Sequence, residues 1–266
     1  MKGWLVGLAL TAVIVASGVG LWITWDATQP SPADTIAASA DRMVSPTTAA
    51  LAPVTTTTTQ PPPECTAGDE TVAGDPETDW ATIVVDTAHR LTEDFVPSDL
   101  VEVVEAGFDT RDQLRRIVID DLAALRTAAE VNGTPVVVIS GYRSFSYQRA
   151  LFQERVDEVG EEAAAASIAR PGHSEHQLGT ALDLLGPEGG ELTTEFGATP
   201  AGEWLAAHAH EFGFVISYPD GGSDMTCYDY EPWHLRYVGP DIAAEIHESG
   251  MAPREWMLAQ RAGDDG

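Results

Sequence analysis

The chain has 266 residues, with 42 Asp and Glu against 14 Lys and Arg, for a formal net charge of −28. A phosphate backbone would be repelled by such a surface, which disfavours non-specific nucleic-acid binding. Hydrophobic content is an ordinary 44%, and the acidity is spread along the chain, so it reads as solubility rather than as an acidic binding face.

In chain order, Gly3 to Trp25 carries no charged residue. A helix over this run is long enough to cross a hydrocarbon core of about 30 Å. Trp4, Trp22 and Trp25 lie towards its ends, as interfacial aromatics do. Lys2 precedes the run and Asp26 follows it, so the N-terminus is expected inside and the rest outside. A cleaved signal peptide is the rival reading, but the run exceeds a usual apolar core and the nearest Ala-x-Ala, Ala38 to Ala40, lies well past its end. The expectation is an uncleaved anchor over residues 1–25, placing the protein at the cell membrane with a single span and an extracytoplasmic body. Residues 26–77 are rich in Pro, Thr, Ser and Ala. They cannot bury enough apolar surface to offset their ordering entropy and read as a disordered stalk.

Residues 78–262 are left for one folded domain. Leu114, Ile117, Val118, Leu122 and Leu125 recur at helical spacing, predicting a helix from Asp109 that Asn132-Gly133 stops. Pro135 to Ser140 reads as a short β-branched strand leading into a glycine turn. Helices are expected over Ser146–Val159, Glu161–Arg170, around Gly202–Glu211 and over Pro240–Ser249; strands over Ala181–Leu185, Phe214–Tyr218 and from Trp233 to Val238. Helices and strands mix without a regular βαβ beat, so the fold class is α+β. Cys65 and Cys227 are the only cysteines. In an exported chain an even count suggests a disulfide, which would pin the loop before Glu231.

Among seven histidines, His208 and His210 fall on opposite sides of a predicted helix, and His89 and His247 have no acidic or Cys/His neighbourhood that suggests a site. His176 follows a Pro-Gly turn and precedes a strand bearing Asp183, a charge that is costly in an apolar run unless it is paired or metal-bound. His234 opens a later apolar strand, with Glu231 three residues before it. Two His and one carboxylate with a fourth position open form a catalytic zinc set, and a nearby carboxylate would serve as proton carrier. Spacing alone leaves this as one arrangement among several.

Three motifs narrow it: SGYRS at Ser140 to Ser144, S-x-H-x-x-G-x-A-x-D within Pro171 to Leu184, and EPWHLRYVG from Glu231. Together, and in this order, they resemble the D-alanyl-D-alanine carboxypeptidase family of the VanY type, over roughly residues 80 to 260. The resemblance implies a compact zinc-peptidase domain, a small antiparallel sheet flanked by helices. It implies Zn2+ held by His176, Asp183 and His234, with Glu231 as general base. It also implies that Arg143 binds the substrate carboxylate or the developing oxyanion, and that Gln148 and Ser174 contact the terminal residue of the peptide. Tyr228 and Tyr230 are candidates for lining the cleft. Gln148 could equally be a helix-surface residue and Ser174 a cap or turn residue.

The substrate implied is the peptidoglycan stem peptide, cut at its D-Ala-D-Ala bond; an L,D-carboxypeptidase, an endopeptidase and a catalytically silent wall-binding module are the alternatives. A monomer is expected. A serine peptidase acting on the same peptides needs S-x-x-K and K-T-G motifs, and the only lysine is Lys2. H-E-x-x-H also fails, because position 214 is Phe after His210-Glu211.

Overall fold

A computed structural model describes residues 65–264. The apolar run Gly3–Trp25, and the stalk up to residue 64, lie outside the described residues. Among the described residues no helix is long and apolar enough to cross a membrane.

The first described segments are short and hold each other by backbone bonds. Strand β1 (Glu70–Thr71) pairs in parallel with β2 (His89–Arg90), and β3 (Leu100–Glu102) pairs antiparallel with β4 (Gln113–Arg115). The end of the compositional stalk, residues 65–77, is therefore part of the packed structure: it supplies β1, and the backbone carbonyl of Glu77 accepts from Arg115 at 3.0 Å. The periodicity predicts one helix from Asp109, but α1 runs Ile119–Asn132, after β4 and a 3-10 turn at Arg116–Val118. Leu114 and Val118 are fully buried, whereas Ile117 is 49% exposed, which removes it from the apolar stripe. The buried side chain of Arg115 finds Asp99 at 2.7 Å, an ion pair that the strand geometry provides.

Helix α1 buries Ile119, Leu122, Leu125 and Ala129, one apolar stripe against the main core, and ends where the Gly133 N–H reaches the carbonyls of Ala129 and Glu130. Strand β5 (Val137–Ser140) follows, then α2 (Phe145–Val159), whose N-cap Ser144 accepts from the Tyr147 N–H, and α3 (Glu161–Ser167). Next come β6 (Ala181–Leu185), α4 (Pro200–His208), β7 (Phe214–Ile216), α5 (Ser223–Thr226) and β8 (His234–Tyr237). Helix α6 (Pro240–Ser249) is followed by α7 (Pro253–Asp264), a helix not expected from sequence.

Four strands form one antiparallel sheet in the order β5-β6-β8-β7. Strand β6 is buried along its whole length, so it reads as an apolar run with one charge in the middle. Leu182 and Leu184 point to one face, into the core that α1 covers, at about 1.5–3 kcal/mol for each leucine. By the period of two, Asp183 points to the other face. A second apolar cluster, with Val84, Val215, Ile246, Trp256 and Met257, seats α6 and α7.

Candidate metal centre and cleft

Strand register places the first two functional side chains. Asp183 on β6 is the direct cross-strand partner of His234 on β8, which puts both side chains on one face about 5 Å apart at Cβ. The Nδ1 of His234 lies 3.1 Å from Oδ1 of Asp183. His176 arrives from a 3-10 turn, Glu175–Leu178, rather than from an open loop. That turn closes on Gly179 at φ +72°, where a Cβ would come 2.9 Å from Arg115 Cγ. His176 Nδ1 donates to the Gly141 carbonyl at 2.6 Å. Its Nε2, which carries no proton in that tautomer, then faces Asp183 Oδ1 at 3.3 Å, acceptor against acceptor, and is left buried without a partner.

One donor atom from each of His176, Asp183 and His234 falls within 4.8 Å of the other two, and all three residues are buried. A bare imidazole nitrogen whose ring is anchored from the other side, next to a carboxylate and a second imidazole, is a donor set that a cation completes. Two nitrogens and one oxygen suit zinc, with room for a fourth ligand. Burial and the nearby Arg143 charge push the His176 imidazole down to about 4, the neutral form a metal ligand needs. Burial works against charge on Asp183, but the two imidazoles outweigh it and hold the carboxyl well below its usual range. Burial likewise opposes a charged His234, yet its bonds to Asp183 and Glu175 raise it to about 10. A cation must therefore displace a proton there, which makes its affinity pH-dependent.

Beside this cluster lies a cleft of about 270 Å³ that Glu231, Arg143, Gln148 and Ser174 all line. Glu231 sits on the turn entering β8: its N–H donates to the Tyr218 carbonyl at 3.0 Å and its own carbonyl accepts from the His234 N–H at 3.1 Å. Burial pushes its carboxyl up to about 7, with His234 opposing and Asp183 reinforcing. Arg143 holds Nη2 4.0 Å from Asp183 Oδ2, while its Nε is buried without a partner. Gln148 is buried rather than a helix-surface residue: its Nε2 donates to the Ala169 carbonyl at 2.7 Å and its Oε1 is bare. Ser174 opens the His176 turn by position, but its hydroxyl does not cap it. Tyr228 lines the cleft, whereas Tyr230 lines a separate hollow with His210 and His247.

Sequence reasoning missed Glu175 and Arg236. Glu175 Oε2 lies 3.0 Å from His234 Nε2 and accepts from Ser217 Oγ at 2.6 Å, while Oε1 accepts from Arg236 Nη1 at 2.8 Å. Burial opposes the Glu175 charge, but Arg236 and His234 outweigh it and bring the carboxyl down to about 2. A signal was present: Arg236 is two residues after His234, on the same face of an otherwise apolar strand, where a charge needs a partner. The other histidines lie outside the cluster, and His247 has a neighbour distant in sequence. His89 Nδ1 is 2.8 Å from Asp86, and His247 stacks on His210 with centroids 3.6 Å apart. His208 pairs with Glu211 at 2.8 Å. Cys65 and Cys227 form a disulfide with Cα atoms 5.2 Å apart, tying the first described residue to the loop before Glu231.

The family model described as VanY, D-alanyl-D-alanine carboxypeptidase, matches residues 111–240, a span that contains every cleft residue named above. YodJ of Bacillus subtilis (strain 168), a candidate carboxypeptidase, is 39% identical over 179 residues. That alignment covers 65% of this chain and 66% of the relative, so the chain spans just under two thirds of that protein. Among solved structures, the LdcB LD-carboxypeptidase is similar at a TM-score of 0.60 and 36% identity, over 66% of this chain and 84% of that one. A variant of the vancomycin-resistance D,D-pentapeptidase VanY, solved in complex with Zn(II), is similar at a TM-score of 0.57 and 28% identity, over 67% and 99% of the two chains.

Proposed function

The chain belongs to the D-alanyl-D-alanine carboxypeptidase family of the VanY type, and on that premise we propose that it is a zinc-dependent carboxypeptidase of peptidoglycan stem peptides that hydrolyses the terminal D-Ala-D-Ala bond. The observation that carries this reading is the buried, partnerless Nε2 of His176, converging with Asp183 and His234 beside a cleft that also contains Glu231 and Arg143.

Zinc held by His176, Asp183 and His234 would supply Lewis-acid polarisation of the scissile carbonyl and a water acidic enough to react near neutral pH. Glu231, raised by burial to about 7, takes a proton from the attacking water and passes it to the leaving D-alanine amine. Arg143, held over Asp183 with a free Nε, binds the terminal carboxylate or the oxyanion of the tetrahedral intermediate. Gln148 and Ser174, on the wall beside it, shape the seat of the terminal residue.

One observation favours a second reading: identity to the LD-carboxypeptidase is 36%, against 28% to the D,D-enzyme. Mass analysis of defined muropeptides separates the two. D,D-cleavage converts pentapeptide to tetrapeptide and stops; L,D-cleavage converts tetrapeptide to tripeptide. A zinc-loaded protein inert on both, and on cross-linked wall, removes the enzyme reading and leaves a wall-binding module. The disulfide supports an oxidising, extracytoplasmic location, and the uncharged run Gly3–Trp25 supports a membrane anchor. Protease protection of the N-terminus in intact cells would test the anchor.

A further inference from the structure

His234 presents its two ring nitrogens to two different carboxylates: Nδ1 to Asp183 Oδ1 at 3.1 Å and Nε2 to Glu175 Oε2 at 3.0 Å. A neutral imidazole carries its proton on one nitrogen only, so the fixed acceptor on one side decides which nitrogen keeps a lone pair. Asp183 belongs to the converging donor cluster, and Glu175 does not. The geometry points to Glu175 as a positioning residue: it accepts Nε2–H of His234, fixes that tautomer and leaves Nδ1 as the ligating atom. This inference rests on the zinc reading of the preceding section and adds to it the residue that selects the ligating nitrogen.

Glu175 is built to stay in place. Ser217 Oγ donates to the same oxygen at 2.6 Å and Arg236 Nη1 to the other at 2.8 Å. Arg236 is 1% exposed and is anchored in turn, its Nη2 donating to the carbonyls of Trp80 at 2.9 Å and Ile83 at 2.7 Å. A buried anion with this many donors has no reason to rotate away, and its charge is matched by the guanidinium beside it. The Tyr218 ring stacks on the His234 imidazole at 4.9 Å and 16°, restricting the remaining freedom, ring tilt. Residue order adds economy to the arrangement: Glu175 and His176 are consecutive in one 3-10 turn. The backbone that delivers one ligand therefore delivers the group that orients another.

Outer partners of metal-bound histidines typically affect metal affinity by about 10–100-fold. Glu175→Gln keeps the shape but loses the charge, and its amide can turn a donor towards Nε2, favouring the other tautomer. The expected result is zinc affinity about 10–100-fold weaker, measured by competition with a chromogenic chelator, with unchanged circular dichroism of the metal-free protein. Because this variant leaves Arg236 without its anion and could fail to fold, a second measurement uses the wild type. In the zinc-loaded protein, nitrogen-15 NMR should show His234 protonated at Nε2 and metal-bound at Nδ1. Zinc on Nε2 overturns the inference, as does a folded Glu175→Gln protein whose zinc affinity stays within twofold of wild type. A wild type that binds no zinc, or binds it without His234, overturns the metal reading itself, so the two failures are told apart.

Discussion

Gly141→Ala tests the link between backbone packing and the metal centre. The Gly141 carbonyl accepts from His176 Nδ1 at 2.6 Å, and so fixes the ring whose Nε2 faces the cluster. A Cβ on residue 141 would lie 2.6 Å from the Gln113 carbonyl oxygen and 3.3 Å from Asp112 Cβ. Ordinary C···O contacts begin at roughly 3.3 Å, so the two backbones must part by about 0.7 Å. Both are held, β4 by its pairing to β3 and the Tyr142 N–H by its 2.7 Å bond to that same Gln113 oxygen. Overpacking of this kind costs about 1–3 kcal/mol. For a folded unit of this size each kcal/mol lowers Tm by about 2–4 °C. The displaced carbonyl releases His176, so zinc affinity should fall by about 10–100-fold. Calorimetry of the metal-free protein and a chelator competition read the two effects separately. Gly186→Ala is the control, because a Cβ there meets nothing within 4 Å. If Gly141→Ala melts within a degree of wild type and binds zinc within twofold, backbone contact does not position His176 and the reasoning fails.

Other expectations concern chemistry and stability. Glu231→Gln should lower kcat by about 10²–10⁴-fold with zinc stoichiometry unchanged; near-normal turnover would remove Glu231 as the base. Arg143→Ala should reduce kcat/KM by about 10²–10³-fold, again with full metal content, and a variant that loses its zinc instead would assign Arg143 to the metal site. Glu175 is more acidic folded than unfolded, at about 2, so its stabilisation is complete above the usual carboxylate range and is lost as pH falls towards 2. This contribution is up to about 3 kcal/mol. Melting the metal-free protein between pH 6 and 2 should show Tm falling more steeply in wild type than in Glu175→Gln, and parallel curves would contradict it. Replacing Cys65 and Cys227 by Ser opens a link between residues 162 apart, which should cost up to about 5 kcal/mol in reversible urea unfolding. A loss below about 1 kcal/mol would show that the unfolded chain is not what the bridge restrains.

Local patterns carried the strands that hold the site. The apolar run around Asp183 and the one opening at His234 are the two central strands of the sheet, and their register places the two side chains together. Legibility ended where contacts span the chain. Ser217 lies 42 residues from Glu175, and Trp80 lies 156 from Arg236, so neither bond leaves a trace in local spacing. The same holds for His210 and His247, whose stacking depends on how α6 packs back beyond α4. The helix expected from Asp109 shows a different limit. Leu114 and Val118 sit at helical spacing, yet a strand followed by a 3-10 turn buries both as well, and the partners of Arg115 select that geometry.

The anchoring of Arg236 bears on where an autonomous folding unit begins. The family match starts at residue 111, but the carbonyls that receive the guanidinium belong to Trp80 and Ile83, and Arg115 is neutralised by Glu77 and Asp99. A fragment trimmed to the matched span would keep every cleft side chain and the Arg236–Glu175 pair, but strip Arg115 of both its carboxylates and Arg236 of two backbone acceptors. A buried charge deprived of its partner costs about 3–5 kcal/mol, comparable to the whole margin of a small domain. A piece that keeps both carboxylates of Arg115 and both backbone acceptors of Arg236 begins ahead of Glu77. Sequence upstream of the matched span acts as an internal counter-electrode for the catalytic half.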